Sequence, residues 1–440
     1  MNETLTNILY LLFGLVLAAV IIKYPYLGVV FTVSSLSIID LLPSIGMFDT
    51  VLPLIGGVSF VGFVLQLKKN EKITKKSINF VFIFAVLFIM WMYISNPLAA
   101  WGGNGRNWIF TFVQLFILMV LSSALLNSQE KQHTLMWVFS FVAIISAFYA
   151  IQSGNIGETD NLSINASGFT DNANAAARMF TVAMVFLSYL RAQKNTPIIN
   201  VLITVGIVVT YVGVFFTASR TGMVLLFVSQ ALLFLVQSSG KQRIRLIIVS
   251  IFGIVFLWFF AANAFVLAQT ILPSVTQGSD TMGLRYSLWE AGWRMFIDKP
   301  LTGVGIGNYI GLLPFYGADL PFLANRISWA HNTYIQVLSE TGLVGFVLFM
   351  GMFIVTFWNF LKPKVTSEES GLSLRKIWLI TFIVMLLGGL TKSDHADKLT
   401  WAIMGLSVYF ANQSESPDKI LPAEKKRKIK HLRIRKVSSV

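Results

Sequence analysis

"PIINVLITVGIVVTYVGVFFTASRTGMVLLFVSQALLFLV", residues 197–236, consists of two apolar runs parted by a short polar turn that carries one arginine, Arg220. Each run has the length, about 20 residues, that an α-helix needs to cross the hydrocarbon core of a bilayer. A segment in lipid must satisfy its own backbone polar groups, and a helix does so internally. The stretch therefore predicts a helical hairpin across a membrane, with Arg220 at its tip.

The pattern recurs along the chain. Of the 440 residues, 55% are hydrophobic and 12% charged, and the mean hydropathy is +0.70. A soluble domain cannot bury that much apolar surface, and the short alternating segments of a β-barrel are missing. The expected fold is all-α and polytopic, with about 12–13 transmembrane helices. Candidate spans fall at 5–22, 26–41, 50–67, 78–95, 107–126, 134–152, 174–190, 197–217, 221–237, 244–267, 341–361, 376–391 and 398–412. The first of these lacks a basic leader and a small-residue cleavage site, and reads as a retained helix. No internal repeat or flexible linker divides the chain. One membrane domain, 1–412, followed by a basic tail, 413–440, is the simplest organisation. With no cysteine, disulfides and thiolate chemistry are excluded.

Basic residues set the orientation. Lys68, Lys69, Lys72, Lys75 and Lys76 form one cluster, and Arg191 with Lys194 a second. Lys241, Arg243 and Arg245 form a third, and Lys362, Lys364, Arg375 and Lys376 a fourth. The tail "EKKRKIKHLRIRK" (424–436) falls on the same side when the spans alternate, so that side is expected to be cytoplasmic. The net charge of +14 then points to anionic lipid rather than nucleic acid. The longest loop, 268–331, is expected to face outward, with 96–106 and 153–173. The outward basic residues are Arg106, Arg178, Arg220, Arg285, Arg294, Lys299, Arg326, Lys392 and Lys398. Six of these nine are arginines, whereas lysine dominates inside. Arginine's planar fork grips phosphate and carboxylate bidentately, although a single outward arginine also serves to snorkel at a helix end. Together they predict an outward anion site.

Three outer stretches supply candidates. In "TASRTGMVLL" (217–226), Arg220 stands among hydroxyls and backbone donors at a tight turn. In "GLRYSLWEAGWRMFIDKPLTGVGIGNY" (283–309), a helix over 284–297 places Arg285, Trp289, Trp293 and Phe296 on one face, as in a helix lying at the membrane interface. The glycine run 303–307 permits a close turn; no strand precedes it, so it is no dinucleotide fingerprint. In "SWAHNTYIQVLSETGLVGF" (328–346), His331 opens a helix and shares a wheel stripe with Ile335, Leu338, Gly342 and Gly345. Small residues at that spacing predict close approach of a neighbouring helix. A lone histidine at a helix end is more often a cap than a catalyst, and only its neighbours lift it above that reading.

These stretches resemble the O-antigen ligase and polysaccharide polymerase family. The pattern His331-Asn332 through Gly342 and Gly345, the segments "ASRTGMVLL" and "DKPLTGVGIGNY", and "GFTDNANAAARMF" (168–180) resemble that family's landmarks in the same order. The resemblance implies a GT-C-like membrane glycosyltransferase working without a metal or other cofactor. It would take a glycan from undecaprenyl diphosphate on the outer leaflet of the cell membrane and pass it to an acceptor hydroxyl. The acceptor is another lipid-linked glycan in polymerases, lipid A core in ligases, and protein in a related branch. The family's essential arginines correspond to Arg220 and Arg285, and its histidine to His331. Arg106, Arg178 and Arg326 are further candidates for diphosphate or sugar, and Asn174 and Asn308 for sugar. Asp171, Glu290 and Asp319 lie too far apart in sequence to suggest a glycosidase pair. "SDHADK" (393–398) has conceivable metal-ligand spacing but reads better as a polar loop. A flippase or transporter, the competing class, would place charge near the bilayer midplane on broken helices in paired halves. The polymerase reading is preferred slightly over the ligase, because nothing in the chain demands a lipid A acceptor.

Overall fold

A computed structural model describes residues 14–44, 50–69, 79–96, 105–153, 168–170, 172–237, 281–323, 328–362 and 372–413. The expected span at 244–267, most of the first span, Asp171, Arg326 and the basic tail lie outside these residues.

The described residues form helices and no strand. In chain order these are α1 (Gly14–Lys23), α2 (Tyr26–Ser34), which runs on as a 3-10 turn (Ser35–Leu41), α3 (Leu52–Lys69) and α4 (Phe80–Ser95). Next come α5 (Gly105–Leu125), α6 (Gln129–Ser153), α7 (Ala173–Arg191), α8 (Pro197–Phe216) and α9 (Arg220–Gln237). Then follow α10 (Thr281–Asp298), α11 (Tyr309–Tyr316), α12 (Thr333–Leu361), α13 (Leu374–Gly388) and α14 (Lys398–Gln413). Among the described residues six helices are long and apolar enough to cross a membrane: α5 to α9 and α12. The protein is an all-α polytopic membrane protein.

Local sequence sets the helix starts. Thr196 caps α8, its hydroxyl accepting from Ile199 N at 3.4 Å, and Pro197 occupies a first-turn position where its missing N–H costs nothing. Asn172 and Asn332 cap α7 and α12 in the same way; their side-chain oxygens accept from Asn174 N at 2.8 Å and Tyr334 N at 2.9 Å.

Helix α7 lies at the centre. Its residues from Ala175 to Leu187 are all buried, packed by α6, α8, α9 and α13. The run of small residues "ANAAA" lets neighbours come close: a Cβ on Gly222 of α9 would stand 2.3 Å from the Ala177 methyl. By contrast α8 turns Ile198, Val201, Leu202, Val205 and Val208 outward, the apolar surface expected against lipid.

The helix ends are tied at two levels. At one level Trp378 Nε1 donates to Gln132 Oε1 at 2.9 Å, His133 meets Tyr189 at 3.1 Å, and Arg375 donates to Phe410 O at 2.8 Å. At the other, Thr333 N donates to Gly389 O at 2.7 Å and Trp401 Nε1 to His395 O at 3.0 Å. Arg106, Arg178, Arg220, Arg285 and Lys392 all belong to this second level.

One element departs from expectation. Helix α12 starts at Thr333, eight residues before the predicted span, and is broken at Gly342, whose φ is 65° and ψ −171°. The break frees carbonyls at the end of the first half-helix. They are taken by the loop after α10: Val304 N donates to Ser339 O and Gly305 N to Glu340 O, both at 2.9 Å. Trp91 Nε1 of α4 takes Thr341 O at 2.9 Å, and Leu343 N is satisfied by Pro300 O at 2.8 Å. A Cβ at 342 would lie 2.3 Å from Leu301 O. The glycine thus admits a loop's backbone, not the neighbouring helix that the wheel suggested.

Candidate functional site

Three separate segments meet at the second level. The first is the turn from α8 to α9. Ala218 takes a positive φ of 51°, and Ser219 then caps α9, its Oγ accepting from Gly222 N at 2.9 Å and donating to Asn174 Oδ1 at 2.5 Å. Arg220 follows directly, exposed, at the first position of the helix. The second segment is the start of α10, where Arg285 is partly buried. The third is the turn 328–332 that carries His331.

That turn is held from three sides. Trp289 Nε1 of α10 donates to Ala330 O at 3.0 Å, and Ala330 N donates to Gln336 Oε1 of α12, also at 3.0 Å. On the α13 side, Thr333 Oγ1 donates to Lys392 O at 2.8 Å and accepts from Asp394 N at 2.8 Å. His331 itself stands outside the helix, with φ of 47° and a ring nitrogen 3.3 Å from Ser328 Oγ. It therefore has no place on the α12 wheel. Asn332 between them makes the cap, so the histidine is free of the capping role.

The electrostatics join the three segments. Burial, then the Arg220 charge, lowers the Arg285 guanidinium from its ordinary pKa. Burial, then Arg285 and Lys392, hold the His331 imidazole below its usual value, while Asp394 pulls it the other way. The imidazole is thus neutral at neutral pH, a proton acceptor set among positive charges.

The other sequence candidates take different places. Arg178 is buried at 3% exposure and pairs with Asp394 and, at 3.6 Å, with Asp397. Burial raises Asp394, but Arg178 and Lys392 outweigh it and hold its carboxyl below the usual range. Arg178 anchors the loop behind His331 through the Asp394 and Asp397 carboxylates. Asn174 holds Ser219, and Asn308 is buried with its amide donating to Val304 O at 3.0 Å. Arg106 is exposed in the first turn of α5, next to Asn107 and Trp108. Trp108 packs edge-on against Trp329 with ring centroids 5.5 Å apart. The predicted aromatic face of α10 is split: Trp289 ties down the His331 turn, while Trp293, 47% exposed, stays on the surface against Phe296.

The metal-like spacing in 393–398 is used otherwise. Asp394 and Asp397 face Arg178, and His395 is buried between Trp108 and Phe112, where burial lowers its pKa to about 4. Among the described residues no group of three metal-ligating side chains comes together. Sequence reasoning missed Lys392 and Asp394 as neighbours of His331. Their signal was a charged loop between two spans on the side already assigned to the arginines.

Residues 205–350 match the family model described as O-antigen ligase. That stretch is thereby similar to the O-antigen ligase family. It contains Arg220, Arg285 and His331, and the match supports a polysaccharide ligase or polymerase role. A comparison with curated proteins gives no match.

Proposed function

We propose that the protein transfers a glycan from undecaprenyl diphosphate to an acceptor hydroxyl at the outer surface of the cell membrane. What supports this reading is that Arg285 lies within electrostatic reach of both Arg220 and His331, which come from separate segments. In the proposed step the acceptor oxygen attacks the anomeric carbon as the bond to the diphosphate oxygen breaks. The electron pair leaves with the diphosphate, where Arg220 and Arg285 meet the charge as it develops. The hydroxyl proton passes to the neutral His331 imidazole. Guanidinium forks do here what a metal ion does in other phosphate-releasing sites, so the reaction is proposed to be metal-independent.

The outward assignment rests on the charge grouping: lysine-rich clusters at one level, arginines at the other. It puts the C-terminal tail in the cytoplasm. Within the proposed class the polymerase is preferred over lipid A core ligation or protein glycosylation. Purified protein in vesicles with a lipid-linked oligosaccharide tests the proposal. New glycosidic bonds support it, and movement of the lipid across the bilayer with no new bond refutes it.

A further inference from the structure

A cleft of about 770 Å³ opens between α2, α3 and α5. Along α5 its lining runs from Asn107 to Leu121, which is about 21 Å at the rise of an α-helix, more than half the depth of a bilayer's hydrocarbon. Its lower walls are apolar or without side chains: Val29, Gly56, Gly57, Leu118 and Leu121. Phe60, 41% exposed, and Phe110, 53% exposed, flank a sideways opening towards lipid.

The cleft is not wholly apolar. Lys398 lines its upper end, beside Asn107 and Thr50, and no carboxylate lies within ion-pair distance of the ammonium among the described residues. Deeper in, the hydroxyl of Thr32 is 5% exposed and has no hydrogen-bond partner there. A cationic mouth over an apolar channel fits a lipid with a phosphate head and one long chain.

The mouth also adjoins the candidate site. Trp108, one residue from Asn107, packs on Trp329, which is two residues from His331. The other side of the Trp108 ring region meets His395 at 5.2 Å, in the same loop as Ala396 and Lys398 of the lining. One aromatic layer separates the cleft mouth from the histidine turn.

We infer that this cleft holds the chain of the acceptor, an isoprenoid phosphate-linked glycan, with its phosphate on Lys398 and its sugar beyond Trp108 towards His331. The inference rests on the glycosyl-transfer reading above and assigns it a second lipid site. The first, for the donor, lies at Arg220 and Arg285 on α9 and α10.

The probe is a diazirine-bearing polyprenyl phosphate in phosphatidylcholine vesicles with the full-length protein, photolysed and mapped by peptide. Adducts are expected on α2, α3 and α5. A Cβ at Gly57 meets nothing within 4 Å, so Gly57→Leu has an unobstructed start for a side chain that narrows the cleft, and these adducts should disappear. Lys398→Gln should weaken labelling about tenfold, the usual effect of losing a charged hydrogen bond. Unlabelled polyprenyl phosphate should compete, and phosphatidylglycerol at equal mole fraction should not. Labelling that survives Gly57→Leu, or that phosphatidylglycerol displaces equally well, overturns the inference. In transfer assays Gly57→Leu should raise the KM for acceptor lipid with donor saturating. An unchanged KM in an active enzyme sinks the acceptor site alone, whereas a wild type that forms no glycosidic bond sinks the transfer reading while the labelling still reports what occupies the cleft.

Discussion

Gly342→Ala puts the break in α12 to a direct test. The native φ of 65° with ψ of −171° lies in a region that only glycine occupies readily, and a side chain there costs about 1–3 kcal/mol. The clash is worse than the dihedral, because the new methyl would sit 2.3 Å from Leu301 O and 2.6 Å from Gly303 N, which are backbone atoms that no rotamer change can move. Relief requires the 300–305 loop to withdraw. Three backbone hydrogen bonds then go: Leu343 N to Pro300 O, Val304 N to Ser339 O and Gly305 N to Glu340 O. At about 1 kcal/mol each, more where a group is left buried and unpaired, the loss adds about 3 kcal/mol. The total, about 4–6 kcal/mol, is a large share of the stability of an ordinary domain. Denaturant unfolding of the purified protein in one detergent measures it, with Gly311→Ala as control. Position 311 is helical and a Cβ there meets nothing within 4 Å, so alanine should be neutral or stabilise by up to about 1 kcal/mol. If Gly342→Ala unfolds at the wild-type midpoint, the account of the broken helix is wrong.

The remaining predictions concern the site. Arg220→Ala, Arg285→Ala and His331→Ala should each lower glycan transfer by about 100- to 1,000-fold while the protein still inserts. Arg→Lys at either position should also be damaging, since a point charge lacks the fork, and normal product length in cells from any of these variants removes that residue from the proposed role. Transfer should fall as pH drops through the lowered His331 pKa, because the base is then protonated; at higher pH this group imposes no loss. Arg285→Gln removes one of the charges that lower it and should move the acid limb of the residual activity to higher pH; a limb that stays in place argues that another group sets it. Arg178→Met leaves Asp397 buried without this cation and Asp394 with Lys392 alone, and should destabilise by about 3–5 kcal/mol. Adding Asp394→Asn should recover part of that loss, and strict additivity in denaturant unfolding would deny the pairing.

Fold class was legible because it depends on composition summed over long windows. The apolar runs at 197–216 and 221–237 can satisfy their backbones only as helices, and so they are. The caps at Asn172, Thr196 and Asn332 are also local, but were not named from the sequence. What the sequence hid were pairings between distant segments. Nothing near Arg178 announces that Asp394, over two hundred residues later, neutralises it, and an arginine facing the outer level was read as a substrate ligand for that reason. The wheel through His331 failed on a single residue. Asn332 takes the capping position, so the helix begins after it and the histidine leaves the stripe. Gly342 was recognised as a contact residue, but a helical period cannot reveal that the contact is a loop whose amides complete a broken helix.

His331 held off the helix is informative in its own right. A non-glycine residue at φ of 47° costs about 1–3 kcal/mol and persists only where the surroundings fix it. Here Trp289, Gln336, Gly389 and Asp394 fix it from two helices and the segment between α13 and α14. A histidine on the first turn of α12 would have been cheaper to place, but it would have pointed along the helix flank instead of standing among Arg285 and Lys392. Burial together with those cations keeps the ring neutral before any substrate arrives, while Arg178 draws on the carboxylates of the same loop and limits the opposing pull of Asp394. On the proposed reading the arrangement is coherent. The field that attracts a diphosphate is the same field that keeps the base unprotonated, so donor binding, by neutralising the arginines, raises the basicity of His331 at the moment a proton must be taken.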